Sequence, residues 1–309
     1  MTKAGERYPI LILVILTALL AMLLQPALPV KADPGWEIEE VESGAVGWCT
    51  SLAVDNVTGY PHISYSDHSI WEHVALKYAS YNGTAWNIQT VDDSADKVGD
   101  YTSLALDDSG YPHISYYDGT NGDLKYASYN GTAWNIQTVD SAGDVGRATS
   151  LALDATGYPH ISYYDGNPNY DLKYVSYNGT AWNIQTVDDS ADWVGRYTSL
   201  ALDATGYPHI SYYDDTNTDL KYASYNGTAW NLQILDSGVN PFDNVGMANS
   251  LALDATGYPH ISYNDFTNRA LKYASYNGTA WNIQTVDDDA ADEFRDYTSL
   301  ALDGNGYPH

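Results

Sequence analysis

The chain is short of cysteine, positive charge and phenylalanine, and each shortage removes a class of protein. One cysteine, Cys49, stands among 309 residues, which excludes an internal disulfide framework. Thirteen lysines and arginines face 40 aspartates and glutamates, a net charge of −27. Without residues 1–32, 10 basic against 39 acidic residues leave −29. A surface of that sign repels phosphate backbones and anionic bilayers, so nucleic acid is excluded as a partner. One long apolar run exists, Ile10 to Leu24, interrupted by Thr17. Lys3 and Arg7 precede it and Val30-Lys31-Ala32 follows as a small-residue cleavage site, so residues 1–32 read as a signal peptide. The run is short for a membrane span. The expectation is a secreted or cell-surface protein, not inserted in the membrane once the signal is removed.

Three phenylalanines stand against 29 tyrosines and nine tryptophans. That profile suits strands whose rings pack while their polar tips reach partners or water. Helix formers are sparse. What the chain does have is a repeat. The stretch Ser150-Leu-Ala-Leu-Asp-Ala-Thr-Gly-Tyr-Pro-His-Ile-Ser-Tyr-Tyr-Asp165 recurs with its opening serine at Ser51, Ser103, Ser150, Ser199, Ser250 and Ser299. The spacings of 52, 47, 49, 51 and 49 residues match the period of a propeller blade or solenoid unit.

Each copy divides into four strand-like runs. In the third, Thr149–Asp154, Tyr158–Asp165, Leu172–Tyr177 and Ala181–Val187 are separated by turn signals. Asn178-Gly179 reads as a two-residue hairpin turn with positive φ at both positions. Four short antiparallel strands per copy, with no helical stretch, predict an all-β fold: a β-propeller of four-stranded blades, about 49 residues each. One domain is expected over residues 33–309. Trp36-Glu-Ile-Glu-Glu-Val-Glu42 aligns with the fourth strand Trp134-Asn-Ile-Gln-Thr-Val-Asp140, so a strand over 35–42 is expected to close the ring. Because the sequence given stops inside a copy at His309, the last blade reads as truncated and six blades are the minimum.

Loop lengths point to one end of the blades. The first and third connections, Asp-x-x-Gly and Asn-Gly, barely vary among copies, whereas the second and the blade-to-blade connections do. In a meander those two emerge together, and variable loops on a repetitive scaffold are where binding sits. Singular aromatics fall there: Trp48, Trp71, Tyr170, Trp193 and Phe266. So do Arg147, Arg196 and Arg295, whose guanidinium groups are candidates to converge on a carboxylate or sulfate. The alternative is that each balances a nearby aspartate such as Asp144, Asp192 or Asp296. The ligand-binding set is therefore Trp71, Tyr170, Trp193, Arg147, Arg196 and Arg295. Acidic loops containing Asp92, Asp93, Asp96, Asp188, Asp189 and Asp192 offer oxygens suited to calcium, but none has EF-hand spacing, and solvated turn residues capping strand ends are the favoured account. No other cofactor is expected.

His62, His113, His160, His209, His260 and His309 share one register, and equivalent positions around a circle do not converge on a metal. They are expected to hydrogen-bond between blades. The repeated Lys77, Lys125, Lys173, Lys221 and Lys272, and Trp86, Trp134, Trp182, Trp230 and Trp281, are read as structural too. Six Asn-x-Thr sequons occur, five of them at the Asn-Gly turn, where turn chemistry accounts for them.

Ser128-Tyr-Asn-Gly-Thr-Ala-Trp134 resembles the Asp-box, Ser-x-Asp-x-Gly-x-x-Trp, of secreted sialidase-like and lectin-like propellers. It lacks one residue of that motif and has Asn130 for the aspartate. The resemblance implies a propeller with a glycan ligand, the Asp-box being a folding element in that group. A sialidase-like enzyme needs an arginine cluster, a tyrosine nucleophile paired with glutamate, and an acidic proton donor. Past Glu42 the chain has only Glu72 and Glu293. The leading expectation is an exported, noncatalytic propeller that binds an extracellular glycan or protein through one face. The alternatives are a glycosidase or lyase acting on acidic sugars and an architectural surface protein.

Overall fold

A computed structural model describes residues 38–70, 73–190, 193–238, 243–288 and 297–309. Residues 1–41 form one unit and 42–309 another; the signal-like segment, Trp71, Asp192 and Arg295 lie outside the described residues. The second unit contains 20 strands. The first blade is β1 (Val46–Val54), β2 (Pro61–Ile70), β3 (His73–Tyr81) and β4 (Trp86–Asp92). The second is β5 (Val98–Leu106), β6 (Pro112–Asp118), β7 (Asp123–Tyr129) and β8 (Trp134–Asp140). The third is β9 (Asp144–Leu153), β10 (Pro159–Asn167), β11 (Leu172–Tyr177) and β12 (Trp182–Asp188). The fourth is β13 (Val194–Leu202), β14 (Pro208–Asp214), β15 (Asp219–Tyr225) and β16 (Trp230–Asp236). The fifth is β17 (Val245–Leu253), β18 (Pro259–Asp265), β19 (Ala270–Tyr276) and β20 (Trp281–Asp287).

Every sheet is an antiparallel meander in chain order. No helix occurs among the described residues. Five blades are established. Residues 297–309 begin another copy with an isolated bridge, Leu302 to Pro308, so a sixth blade rests on the sequence alone. Of the strand expected at 35–42, the described residues 38–42 carry no strand.

The core is divided among the joints between consecutive blades. Leu124, Tyr126 and Val139 of the second blade pack with Val145, Leu151, Ile161 and Tyr163 of the third, and the neighbouring joints repeat this set. Each fully buried Leu or Ile contributes about 1.5–3 kcal/mol. The opening serine sits at the inner seam, where Ser103 Oγ accepts from Leu151 N at 3.0 Å and Ser150 Oγ from Leu200 N at 3.0 Å. Further out, Trp182 Nε1 donates to Gln137 Oε1 at 3.1 Å, and its ring meets Tyr126 edge-on at 5.3 Å. Glycine permits the approach: at Gly195, φ is +105° and a Cβ would lie 2.6 Å from Leu172 Cα.

Each joint also holds a carboxylate, buried at Asp92, Asp140 and Asp188 and partly buried at Asp236. Asp92, at the end of β4, takes Lys125 Nζ at 2.5 Å and Tyr116 Oη–H at 2.7 Å from the next blade. Asp188 does the same with Lys221 and Tyr212. In the first blade the partner of Tyr65 and Lys77 is Glu42, the residue that the alignment matches to Asp140.

Two local expectations are corrected. The repeated histidines bond within a blade: His113 Nδ1 meets the Tyr126 hydroxyl and His160 Nδ1 that of Tyr174. These pairs lie on adjacent strands of one sheet, near enough diagonally for the side chains to touch without crossing the joint. The hairpin between third and fourth strands has four loop residues, since Tyr129 pairs directly with Trp134. Only Gly131 has positive φ there. Asn130 instead accepts Thr132 N and Ala133 N at 2.9 Å on its side-chain oxygen, an Asx turn.

Candidate functional site

The second-to-third loops and the blade-to-blade connections meet, as antiparallel topology requires. Lys97 O receives Gly119 N at 2.7 Å, and Trp193 O receives Asp215 N at 3.0 Å. Each first strand is bulged near this end: Arg196 opposes Tyr213 and Ser199 opposes Ser211, leaving Tyr197 and Thr198 against Tyr212. A bulge re-aims side chains. It places one non-glycine residue per blade in the left-handed region, namely Cys49, Tyr101, Ala148, Tyr197 and Ala248, with φ between 48° and 53°.

The fourth-blade joint gathers three of the expected residues. Tyr170, from the third blade's loop, and Trp193, from the connection, have ring centroids 5.6 Å apart at 32°, and Val194 N bonds to Tyr170 O at 2.9 Å. Arg196 reaches Asp215 Oδ2 at 2.8 Å and lies 5.8 Å from the Tyr197 ring centre. Asp215 therefore ties Trp193, through the backbone, to Arg196, through its carboxylate. Trp193 is 50% exposed and the Arg196 side chain 42%.

Arg147 occupies the equivalent place one blade earlier. It meets Asp144 Oδ2 at 2.9 Å and covers Tyr117 with its charge centre 5.1 Å from the ring. Tyr117 Oη–H donates to Asp144 Oδ1 at 2.5 Å. Burial first, and then the hydrogen bond to Asp144, push the Tyr117 phenol up to about 12. Both guanidinium groups act on the buried Tyr164, whose phenol burial raises to about 12 while Arg196 draws it down. Each described arginine of the set is thus paired with an aspartate, and Arg196 takes Asp215 where Asp192 was the expected balance.

Two expected acidic residues sit elsewhere. Asp92 and Asp188 are buried in the joints, on lysine. Burial alone would raise their carboxyls, but Lys125 or Lys221, with the neighbouring serine and tyrosine hydroxyls, hold them below the ordinary range. Asp93, Asp96 and Asp189 are exposed. Among the described residues no group of three or more His, Cys, Asp or Glu is placed to hold a metal ion.

The sequence reading missed Tyr101, Tyr197 and Tyr297. Tyr101 and Tyr197 occupy the bulge position of the second and fourth blades, Tyr297 aligns with them in sequence, and Cys49, Ala148 and Ala248 stand between them. Tyr101 is 42% exposed and Tyr297 80%. Burial raises the Tyr197 phenol first, Arg196 offsets it, and Tyr297 and Tyr101 add like-charge repulsion. The signal was visible: this column varies between two constant ones, Ser at +2 and Gly at −2 in most copies. Cys49 shares the column, and burial raises its thiol, the direction of an unreactive cysteine.

No protein-family model matches the chain, and no curated protein matches it. Solved structures do. The fucose-recognising lectin of Aleuria aurantia, a six-bladed β-propeller, superposes with a TM-score of 0.55 at 12% identity over 83% of each chain. AofleA of Arthrobotrys oligospora gives 0.56 at 10% identity, over 86% of this chain and 78% of that one. A polysaccharide lyase, an ulvan lyase, gives 0.54 at 15% identity over 80% and 74%. At such identities the likeness is one of fold: this chain has the β-propeller architecture that lectins and a lyase share.

Proposed function

We propose that the chain is an exported, noncatalytic carbohydrate-binding propeller whose site lies at the blade joints of the variable-loop end. One observation carries this reading: Tyr170, Trp193, Arg196 and Asp215, from three separate segments, assemble at one joint with Trp193 half exposed. An exposed ring beside a guanidinium–carboxylate pair offers a stacking plate and both hydrogen-bond polarities, which suits a sugar. The aspartate partners of Arg147 and Arg196 offset their charge, so a neutral sugar is favoured over a carboxylate or sulfate. The fucose recognition of the Aleuria aurantia lectin supports the class of ligand, and the signal-like residues 1–32 support export.

The Tyr–carboxylate pairs argue against a tyrosine nucleophile. Tyr65 with Glu42 and Tyr116 with Asp92 lie in the joints, 4% and 0% exposed. Burial and the adjacent acid raise both phenols, opposite to what an activated nucleophile needs.

A panel of immobilised neutral and acidic glycans, probed with the full chain, tests the reading. Trp193→Ala and Tyr170→Ala are each expected to weaken retention tenfold or more. Retention that ignores both, or turnover of an acidic polymer, contradicts it.

A further inference from the structure

The opposite end of the blades, where the short constant turns emerge, carries an exposed aromatic stack in every blade. In the second blade Tyr111, closing the first turn, meets Tyr129 edge-on at 6.1 Å, and Tyr129 meets Trp134 at 5.3 Å. The first blade repeats this with Tyr60, Tyr81 and Trp86 at 5.6 and 5.4 Å. The third does so with Tyr158, Tyr177 and Trp182 at 5.8 and 5.0 Å. The fourth and fifth follow at 6.0 and 5.3 Å and at 5.8 and 5.4 Å.

The leading tyrosine is the open member. Tyr60, Tyr111, Tyr158, Tyr207 and Tyr258 are 36–40% exposed. Each holds its hydroxyl over the glycine of the hairpin; a Cβ at Gly131 would stand 2.6 Å from Tyr111 Oη. The glycine is what lets the phenol lie across the turn. Beside the ring in the second to fifth blades is a polar rim: the Asp107 carboxylate lies 3.7 Å from His113 Nε2, is 26% exposed, and takes Tyr111 N at 2.8 Å on its other oxygen. Asp154, Asp203 and Asp254 repeat the arrangement.

Packing does not require this exposure. The joints are sealed by Trp against the preceding blade's Gln and Tyr. A partly open aromatic, repeated five times on one end and in four blades beside a carboxylate held by histidine, is the arrangement that stacks on a sugar face and accepts its hydroxyls. The net charge of −27 disfavours anionic polymers, and repeated sites, four of them alike, favour a ligand that itself repeats.

We propose that this end is a second carbohydrate-binding surface, one shallow site per blade, which takes uncharged pyranose units of a repetitive polysaccharide. It is independent of the joint site at the other end.

The test is affinity electrophoresis of the full chain in gels containing xylan, mannan, mixed-linkage β-glucan or glucomannan. At least one should retard the wild type. Tyr158→Ala should reduce that retardation about twofold, and the Tyr111/Tyr158/Tyr207→Ala triple variant more than tenfold, because avidity multiplies site losses. The corresponding Tyr→Phe triple variant should stay within about threefold. Should the alanine triple fail to fold, tyrosine nitration of the wild type decides. The retarding polysaccharide should protect Tyr111, Tyr158 and Tyr207 at least threefold. No retardation by any of the four polymers, a folded triple variant that binds like wild type, or nitration unaltered by polysaccharide overturns the proposal.

Discussion

The two ends of a blade are built on opposite plans. At the short-turn end the same Tyr–Tyr–Trp stack recurs in five blades and the same Asp–His pair in four of them. At the long-loop end one joint has Tyr170, Trp193 and Arg196, the joint before it has Arg147 on Tyr117, and the first strand of the first blade carries Trp48 beside His68, with ring centroids 5.5 Å apart. The difference teaches how a repetitive chain separates its tasks. Between the ends lies the joint, whose Ser, Lys, Tyr, Asp, Trp and Gln contacts bear the load of holding blades together. Either rim is therefore free to carry a ligand, a uniform rim for a repetitive one and a varied rim for a specific one.

Substitutions at the joint should break this contrast most severely. Lys125→Met leaves Asp92 buried and without its cation, and an uncompensated buried charge costs about 3–5 kcal/mol. Urea unfolding should show that loss, and a variant as stable as wild type would remove the joint from the account. The same carboxylates set a pH dependence. Asp92 and Asp188 are held below their ordinary value in the fold, so their contribution is complete above the unfolded pKa of about 3.9. It declines as the pH falls through the lower folded value. His62, His113, His160 and His209 are held by burial below the ordinary imidazole value. Unfolding midpoints should therefore begin to fall as the pH drops below the unfolded value of about 6.5, with the carboxylates adding a second loss below about 4.

Gly195→Ala should come next. A left-handed backbone at an L-residue costs about 1–2 kcal/mol, and the Cβ would press on Leu172 Cα at 2.6 Å. Trp182→Phe keeps a ring against Tyr126 but loses the bond to Gln137, a cost of about 1 kcal/mol readable in the same titration. The smallest effect on stability belongs to the rim. Trp193→Ala at a half-exposed position should stay within about 0.5 kcal/mol of wild type.

The fold was legible in the sequence because period, alternation and turn chemistry all agree: the six opening serines and the two constant turns imply a meander before any coordinate is seen. The joint was only half legible. Tryptophan between blades could be expected from its recurrence. The lysines were rightly read as structural, but their partner was missed, because Asp92 and Lys125 are 33 residues apart and Asp92, at the start of an acidic loop, reads as a calcium ligand or a solvated turn residue. The histidines misled for a related reason, since recurrence shows that a residue belongs to the scaffold without showing which neighbour it holds. At the rim, variability singled out Tyr170, Trp193 and Arg196, which the fold brings to one joint, yet it hid the bulge tyrosines Tyr101 and Tyr197. Their column was read only through its one cysteine.

The most direct test of the account pairs two readouts on Trp193→Ala: the urea unfolding midpoint, and retention on the glycan that the wild type binds best in the panel. The account predicts an unchanged midpoint with retention reduced tenfold or more. A midpoint lowered as far as that of Lys125→Met, or retention equal to wild type, would contradict it.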